Sequence, residues 1–164
     1  MNDNLLLLSG FFQIGYATND IDAALALFRD KYSMGTFAEI RNITVQGPDN
    51  SDMVANFALA YKGDTMIELI QPVEGDTSMF DHVLPKNDFA VRHHHFAYCL
   101  DSMAQLDEAE AKLRGQGIDI PIRGNGMDQV FFFYADTRSW LGHYSEYLTL
   151  TDKGRETYAQ LPRY

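Results

Sequence analysis

The same order of apolar and polar positions occurs twice along the chain. Each copy opens with a short run rich in aromatic residues, followed by an amphipathic stretch with apolar residues at helical spacing. Three further short apolar runs, separated by turn-forming residues, complete each copy. In the first copy this pattern predicts a strand, a helix and three strands at residues 11–17, 20–32, 37–45, 53–61 and 65–71.

The second copy predicts the same βαβββ order, and the two copies together indicate an α+β protein. Its elements are a strand, a helix and three strands at residues 93–100, 102–114, 118–122, 129–135 and 143–150, with a turn at 124–126 and a loop at 136–142. The chain of 164 residues has the length of one structural domain. We expect a first module at 1–75, a linker at 76–92 with a helical turn near 78–83, a second module at 93–150 and a partly helical extension at 151–164.

Composition and charge exclude several classes of protein. The chain carries 13 Lys and Arg against 23 Asp and Glu, a formal charge of −10, which disfavours nucleic acid and anionic membranes as partners. No apolar stretch approaches the ~20 residues of a membrane span. The apolar run Leu5–Leu8 is too short for a signal peptide. The single cysteine, Cys99, fits a reducing compartment, so we expect a soluble cytoplasmic protein.

Candidate chemistry lies at corresponding places in the two copies. Gln13 and His95 align in the opening strands, and each shares one strand face with small residues, which leaves a hollow beside it. Strict alternation predicts that His93 shares the face of His95 and that His94 points the other way. Glu68 follows Gln13 by 55 residues and Glu146 follows His95 by 51, so the two halves are expected to have similar geometry.

The repeat resembles the vicinal oxygen chelate superfamily, which includes glyoxalase I, methylmalonyl-CoA epimerase, extradiol dioxygenases and bleomycin-resistance proteins. The sequence Gln13-Ile14-Gly15 stands where many relatives have His-Ile-Gly, and His94-His95-Phe96-Ala97 is similar to their His-His-Ile-Ala. The resemblance covers residues 11–150. It implies two βαβββ modules that form a cupped, mostly antiparallel sheet, and it also implies a homodimer.

The resemblance further implies a divalent metal ion whose ligands come from the first and fourth strand of each module. These positions are Gln13, Glu68, His95 and Glu146. A carboxylate in the middle of an apolar strand is costly to bury without a partner, and a cation is such a partner. The mixed nitrogen and oxygen set suits Zn, Ni, Co, Mn or Fe, and the sequence leaves the metal open.

For function, the resemblance implies a metal-dependent lyase, isomerase or epimerase acting on a small carbonyl substrate through an enediolate-like intermediate. Glu146 is the favoured proton carrier and Glu68 is the other candidate. The first alternative is a metal-free protein that binds an aromatic or apolar molecule, as in bleomycin resistance. An extradiol dioxygenase is less favoured because Gln13 replaces a histidine of the two-histidine, one-carboxylate arrangement.

An aromatic region near the end of the second module is the candidate substrate pocket. It contains aromatic residues on two strands and the loop between them, together with basic and histidine side chains near the expected mouth. The pocket prediction comprises Tyr144, Phe133, Trp140, Arg138 and His93.

Overall fold

The computed structural model describes residues 5–164. It contains eight strands: β1 (Phe11–Thr18), β2 (Ala38–Gln46), β3 (Asp52–Lys62), β4 (Thr65–Gly75), β5 (Val91–Cys99), β6 (Ile122–Gly126), β7 (Val130–Ala135) and β8 (Tyr144–Leu150). The five helices are α1 (Ile21–Tyr32), α2 (Ser78–Asp81), α3 (Met103–Gly115), α4 (Arg138–Leu141) and α5 (Asp152–Ala159). None of the helices in this described part of the chain is long and apolar enough to span a membrane.

All eight strands form one sheet in the order β2-β3-β4-β1-β5-β8-β7-β6. Strands β1 and β5, which open the two modules, pair antiparallel at the centre, and each has the last strand of its own module as a parallel neighbour. The outermost strands, β2 and β6, contact each other, so the sheet curls almost into a barrel. The predicted α+β fold with two βαβββ modules and a cupped sheet is confirmed.

The long helices α1 and α3 cover the outer face of the sheet. In α1 the buried positions Ile21, Ala24 and Phe28 recur at helical spacing, and the Asp20 side chain caps the first turn by accepting a hydrogen bond from the Ala23 amide. Helix α3 buries a similar stripe in the second module. Because both helices pack outside, the concave face of the sheet is left for other contacts.

The third element of the second module differs from its prediction. Strand β6 covers 122–126 instead of 118–122, and the residues expected to turn at 124–126 are paired with β7. The chain reverses at Met127 and Asp128, whose φ angles are 54° and 55°. The Asn125 side chain accepts a hydrogen bond from the Asp128 amide at 2.9 Å and stabilises this turn. Pairing with the aromatic strand β7 therefore outweighs the local preference of a Gly-Asn-Gly sequence for a turn.

Two other boundaries also move. Strand β4 continues to Gly75, and β5 begins at Val91, two residues before the predicted start of this strand at residue 93. The segment expected to be a loop at 136–142 contains the short helix α4, and the helical turn expected near 78–83 is α2.

The C-terminal segment packs over the concave side of the sheet. Leu161 lies in a buried cluster with Leu59 and Met66, and the Pro162 carbonyl accepts a hydrogen bond from the Tyr61 amide at 2.8 Å. The segment at 151–164 is therefore tied to β3 by main-chain hydrogen bonds and by apolar contacts.

Gly154 provides a test of how tightly α5 is docked. A Cβ atom at this position would lie 2.3 Å from the Gln129 carbonyl oxygen. We expect Gly154→Ala to lower the free energy of unfolding by about 1–3 kcal/mol, because the backbone must move to accept the methyl group. Gly115→Ala, at a helical glycine with open space around it, is the control and should be neutral or stabilising. Equal urea midpoints for the two variants would contradict this packing.

Candidate metal centre

Four polar side chains from the four central strands meet on the concave face of the sheet. The side-chain donor atoms of Glu68, His95 and Glu146 all lie within 4.8 Å of one another. His95 Nε2 is 3.2 Å from Glu68 Oε2 and 3.3 Å from Glu146 Oε2. The Gln13 amide nitrogen lies 2.9 Å from Glu68 Oε2 and 3.2 Å from His95 Nε2. All four residues belong to one chain, so no second subunit is needed to bring them together.

The strand register explains this convergence. In the first module Glu68 pairs with Gly15, two residues after Gln13, and in the second Glu146 pairs with Ala97, two residues after His95. Because residues two apart in a strand share a face, each glutamate lies beside the polar residue of its own module. The antiparallel pairing of β1 with β5 then places the two half-sites against each other.

Gly15 makes room for the His95 ring. The two residues are partners across β1 and β5, and a Cβ atom at Gly15 would lie 1.9 Å from His95 Cε1. The imidazole therefore packs directly over the glycine backbone, in a position that any other residue would obstruct.

A bulge in β5 overturns the predicted directions of two histidines. Gly15 pairs with His95 and Tyr16 pairs with His93, so His94 is an extra residue in the ladder. Its ring is buried on the concave side and stacks on Phe80 at 4.4 Å between ring centroids. The His93 ring contacts Tyr16 and Phe96 on the outer side. Both predicted directions are wrong, because strict alternation fails at a bulge.

His94 orients the ring of His95 through a chain of hydrogen bonds. His94 Nε2 lies 3.1 Å from the Met79 carbonyl oxygen, and the Nδ1 atoms of His94 and His95 lie 3.1 Å apart. A carbonyl only accepts, so His94 Nε2 carries the hydrogen and its Nδ1 accepts from His95 Nδ1. Burial, together with His95, keeps the pKa of His94 well below its usual value, consistent with this neutral tautomer. When His95 is neutral, its Nε2 therefore presents a lone pair to the two glutamates.

The centre is electrostatically unbalanced without a cation. Burial opposes protonation of His95, but hydrogen bonds and charge from Glu146 and Glu68 outweigh it and raise the pKa of His95 to about 9. Burial raises the pKa of Glu146, and its hydrogen bond to His95 opposes that shift. The His95 proton is thus the counter-charge for two carboxylates, a place that a divalent cation suits better.

Gln13 fits a metal ligand for an independent reason. As oriented, its amide nitrogen faces the carboxylates, and its Oε1 is buried without a hydrogen-bond partner among the described residues. Rotation of the amide by half a turn would point Oε1 toward the metal-ligand atoms of Glu68, His95 and Glu146. A cation bound there would be a partner for this oxygen. One imidazole nitrogen and three oxygens then form the mixed donor set that a divalent transition metal accepts.

A cavity of about 280 Å³ opens directly beside these residues. Gln13, Glu68, Glu146 and Tyr134 form its polar end, and apolar side chains from the sheet and the C-terminal segment form the walls. Tyr134 pairs with Glu146 across β7 and β8, and both side chains line the cavity. Sequence reasoning missed Tyr134, although alternation across this antiparallel pair would have indicated it.

None of the five residues predicted to form the substrate pocket lines this cavity. Phe133 is fully buried against α3 on the outer face, because the alternate residues of β7 point inward. Trp140 is 66% exposed in α4, and Arg138 forms a salt bridge with Asp136. Tyr144 is buried next to His94 at 5.0 Å between ring centroids. The fifth residue, His93, lies on the outer side as described above.

Removing His94 is expected to weaken metal binding without touching a ligand. We expect His94→Ala to lower the affinity for Zn²⁺ or Mn²⁺ about 10–100-fold, the usual effect of removing a group that orients a ligating histidine. His143→Ala removes a histidine whose ring packs on Phe96 and is the matched control. Calorimetric titration of chelator-treated protein measures both, and equal affinities in the two variants would show that His94 does not orient the site.

A duplicated βαβββ sheet with four facing polar side chains on its central strands defines the class of vicinal oxygen chelate proteins. The profile of the Glyoxalase/Bleomycin resistance protein/Dioxygenase superfamily matches residues 12–133. The chain belongs to this superfamily, which confirms the resemblance seen in the sequence.

Solved structures with the same fold include methylmalonyl-CoA epimerases. The Streptomyces coelicolor enzyme, as a Q60A variant in complex with 2-nitronate-propionyl-CoA, is 20% identical, with a TM-score of 0.62 over 88% of this chain and 99% of that chain. The Mycobacterium tuberculosis methylmalonyl-CoA epimerase is 15% identical, with a TM-score of 0.59 over 95% of this chain and 97% of that chain. No curated protein matches the chain by sequence.

Proposed function

We propose that the protein is a metal-dependent isomerase or epimerase that moves a proton at a carbon atom next to a carbonyl group. The observation that carries this proposal is the convergence of Gln13, Glu68, His95 and Glu146 at the polar end of an apolar cavity. These four residues would hold a divalent ion, which supplies Lewis-acid stabilisation of negative charge on the substrate oxygen. The epimerase activity of proteins with this fold favours this chemistry over other reactions of the superfamily.

Glu146 is the residue best placed to carry the proton. It lines the cavity, and burial raises its pKa, which moves a carboxylate toward the range useful for a general base. Glu68 also lines the cavity, but its side chain is more exposed than that of Glu146, at 12% against 8%. Glu146 is therefore the more deeply buried of the two carboxylates.

The surrounding residues prepare the site for proton transfer. Tyr134 lies beside Glu146 across β7 and β8 and also lines the cavity. Burial holds the pKa of Tyr134 well above its usual value, so the phenol stays protonated and can donate a hydrogen bond. The mostly apolar walls place few polar groups around the reacting carbon, which strengthens electrostatic interactions within the site.

Two measurements test the proposal together. Chelator-treated protein is titrated with Mn²⁺, Co²⁺, Ni²⁺ and Zn²⁺, and we expect one ion per chain. Loaded protein is then incubated in D₂O with a panel of enolisable ketones and thioesters, and ¹H NMR follows exchange at the carbon next to the carbonyl. Failure to bind any of these metals, or the absence of exchange across the panel, would overturn the proposal. The homodimer implied by the resemblance stays a prediction, to be measured by sedimentation.

A further inference from the structure

The walls of the cavity differ sharply from its polar end. Away from the candidate metal centre the surface comes mainly from aliphatic and aromatic side chains of both modules, including Ile43, Phe57, Leu59 and Phe132. The C-terminal segment contributes Tyr158 and Leu161. A ligand that fills this space therefore buries most of its surface against hydrocarbon. Apart from the metal centre, Tyr134 and Tyr158, the polar side chains that line the cavity are the neutral Gln46, Gln129 and Thr157.

The charges of the cavity also have one sign. Among the described residues that line it, none is a lysine or an arginine, whereas Glu68 and Glu146 are both acidic. Arginines elsewhere in the second module are held by acidic partners, as with Arg123 by Glu110 and Arg138 by Asp136. A divalent ion at the centre would offset the two carboxylates and leave no net positive charge for an anionic substrate. A carboxylate placed among the apolar walls would be desolvated without a cationic partner from the described lining residues.

The volume limits the size of the ligand. An engineered protein cavity of ~150 Å³ holds benzene, and sites for drug-sized ligands begin at ~300 Å³. The 280 Å³ available here lies between these values, close to the upper one. This space suits a bicyclic ring system or a branched chain of similar bulk.

We propose that the substrate is an uncharged, largely apolar compound of about bicyclic size, with a single carbonyl end that faces Gln13, Glu68 and Glu146. This inference rests on the proposed function for the orientation of the oxygen end, and it goes beyond that function by excluding acyl groups that carry a free carboxylate inside the cavity. The apolar walls provide the binding energy, and the polar end determines which carbon atom reacts.

A matched pair of ligands tests the inference. The neutral ketone 2-acetyl-6-methylnaphthalene and the anion 6-acetyl-2-naphthoate have the same ring and acetyl group and differ in a methyl against a carboxylate. Binding is measured by ligand fluorescence, in metal-loaded and in chelator-treated protein. We expect the neutral ketone to bind at least tenfold more tightly in both forms. Equal or tighter binding of the anion in either form, or no binding of either ligand up to its solubility limit, would overturn the inference.

A positive charge introduced at the cavity provides a second test of the inference. Met127 lines the cavity and is 56% exposed in the turn between β6 and β7, so Met127→Lys should leave the fold intact. We expect Met127→Lys to reduce the ratio of the affinity for the neutral ketone to the affinity for the anion. We expect Met127→Leu to leave this ratio unchanged. An unchanged preference in Met127→Lys would mean that missing positive charge does not set the selectivity.

The ligand-binding test can fail or succeed independently of the metal-binding and exchange tests of the proposed function. Ligand preference is read in the chelator-treated protein as well, so it does not depend on metal or on proton exchange. If exchange fails while the preference holds, the proposed function is wrong and the substrate class stands as a ligand class. If the preference fails while metal and exchange are present, only the substrate class is wrong.

Discussion

Replacing Glu146 by glutamine is expected to slow hydrogen exchange at the substrate carbon by about 10²–10⁴-fold, the usual contribution of a positioned acid–base group. The change keeps the size of the side chain but removes its basicity and one negative charge. Exchange is followed by ¹H NMR in D₂O on the substrate identified from the ketone and thioester panel. Exchange could be slow because the base is missing or because the metal is lost, and the metal content of the same samples separates these two causes. A variant that keeps its metal and loses exchange identifies Glu146 as the proton carrier.

The matched variants make this result specific. Glu68→Gln applies the same change to the other acidic residue of the centre, and we expect a smaller loss of exchange because Glu68 is the less deeply buried carboxylate. Glu74→Gln applies it to an exposed glutamate on β4 and should have wild-type exchange. Wild-type exchange in Glu146→Gln would refute the assigned role. A larger loss in Glu68→Gln would transfer that role to Glu68.

A single methyl group at Gly15 is expected to disrupt the centre. The added Cβ of Gly15→Ala would lie 1.9 Å from a carbon of the fully buried His95 ring, so the ring must leave its position. We expect metal affinity to fall by about 100-fold or more, since a ligand itself is displaced rather than only its support. Unfolding should become easier by about 1–3 kcal/mol from overpacking.

Gly126→Ala is the control for this change. Gly126 also borders the cavity, but its nearest neighbour for a new Cβ is the Val130 Cβ at 3.7 Å, an ordinary contact. Calorimetric metal titration and urea unfolding are compared for the two variants. A wild-type metal affinity in Gly15→Ala would show that metal binding does not require the His95 ring to pack over Gly15.

The sequence was most informative where a local pattern occurred twice. The spacing of apolar residues predicted both long helices to within about one residue, because a stripe at helical spacing must face a core. Equivalent positions in the two copies also indicated Gln13, Glu68, His95 and Glu146, and the structure brings these four side chains together. The four side chains converge because duplicated modules with the same strand order place corresponding residues in corresponding positions, and their role as metal ligands stays a prediction.

The errors arose where neighbouring strands decide the local geometry. The β5 bulge depends on how β5 pairs with β1, and it exchanges the directions of His93 and His94. The turn after β6 depends on pairing with β7, which draws Gly124 and Asn125 into the sheet. In both places hydrogen bonds across strands outweigh the preference of the local sequence.

By itself, then, the sequence determined the repeated βαβββ order, the acidic character of the chain and the four residue types of the candidate centre. Only the tertiary structure decided that His94 supports His95, that Tyr134 rather than Phe133 faces the cavity, and that the C-terminal segment forms part of its wall. The physical reason is distance along the chain. Periodicity predicts which face of its own strand or helix a residue occupies. A cavity is formed by residues from many strands, and a local sequence pattern does not predict the register or the curvature of those strands.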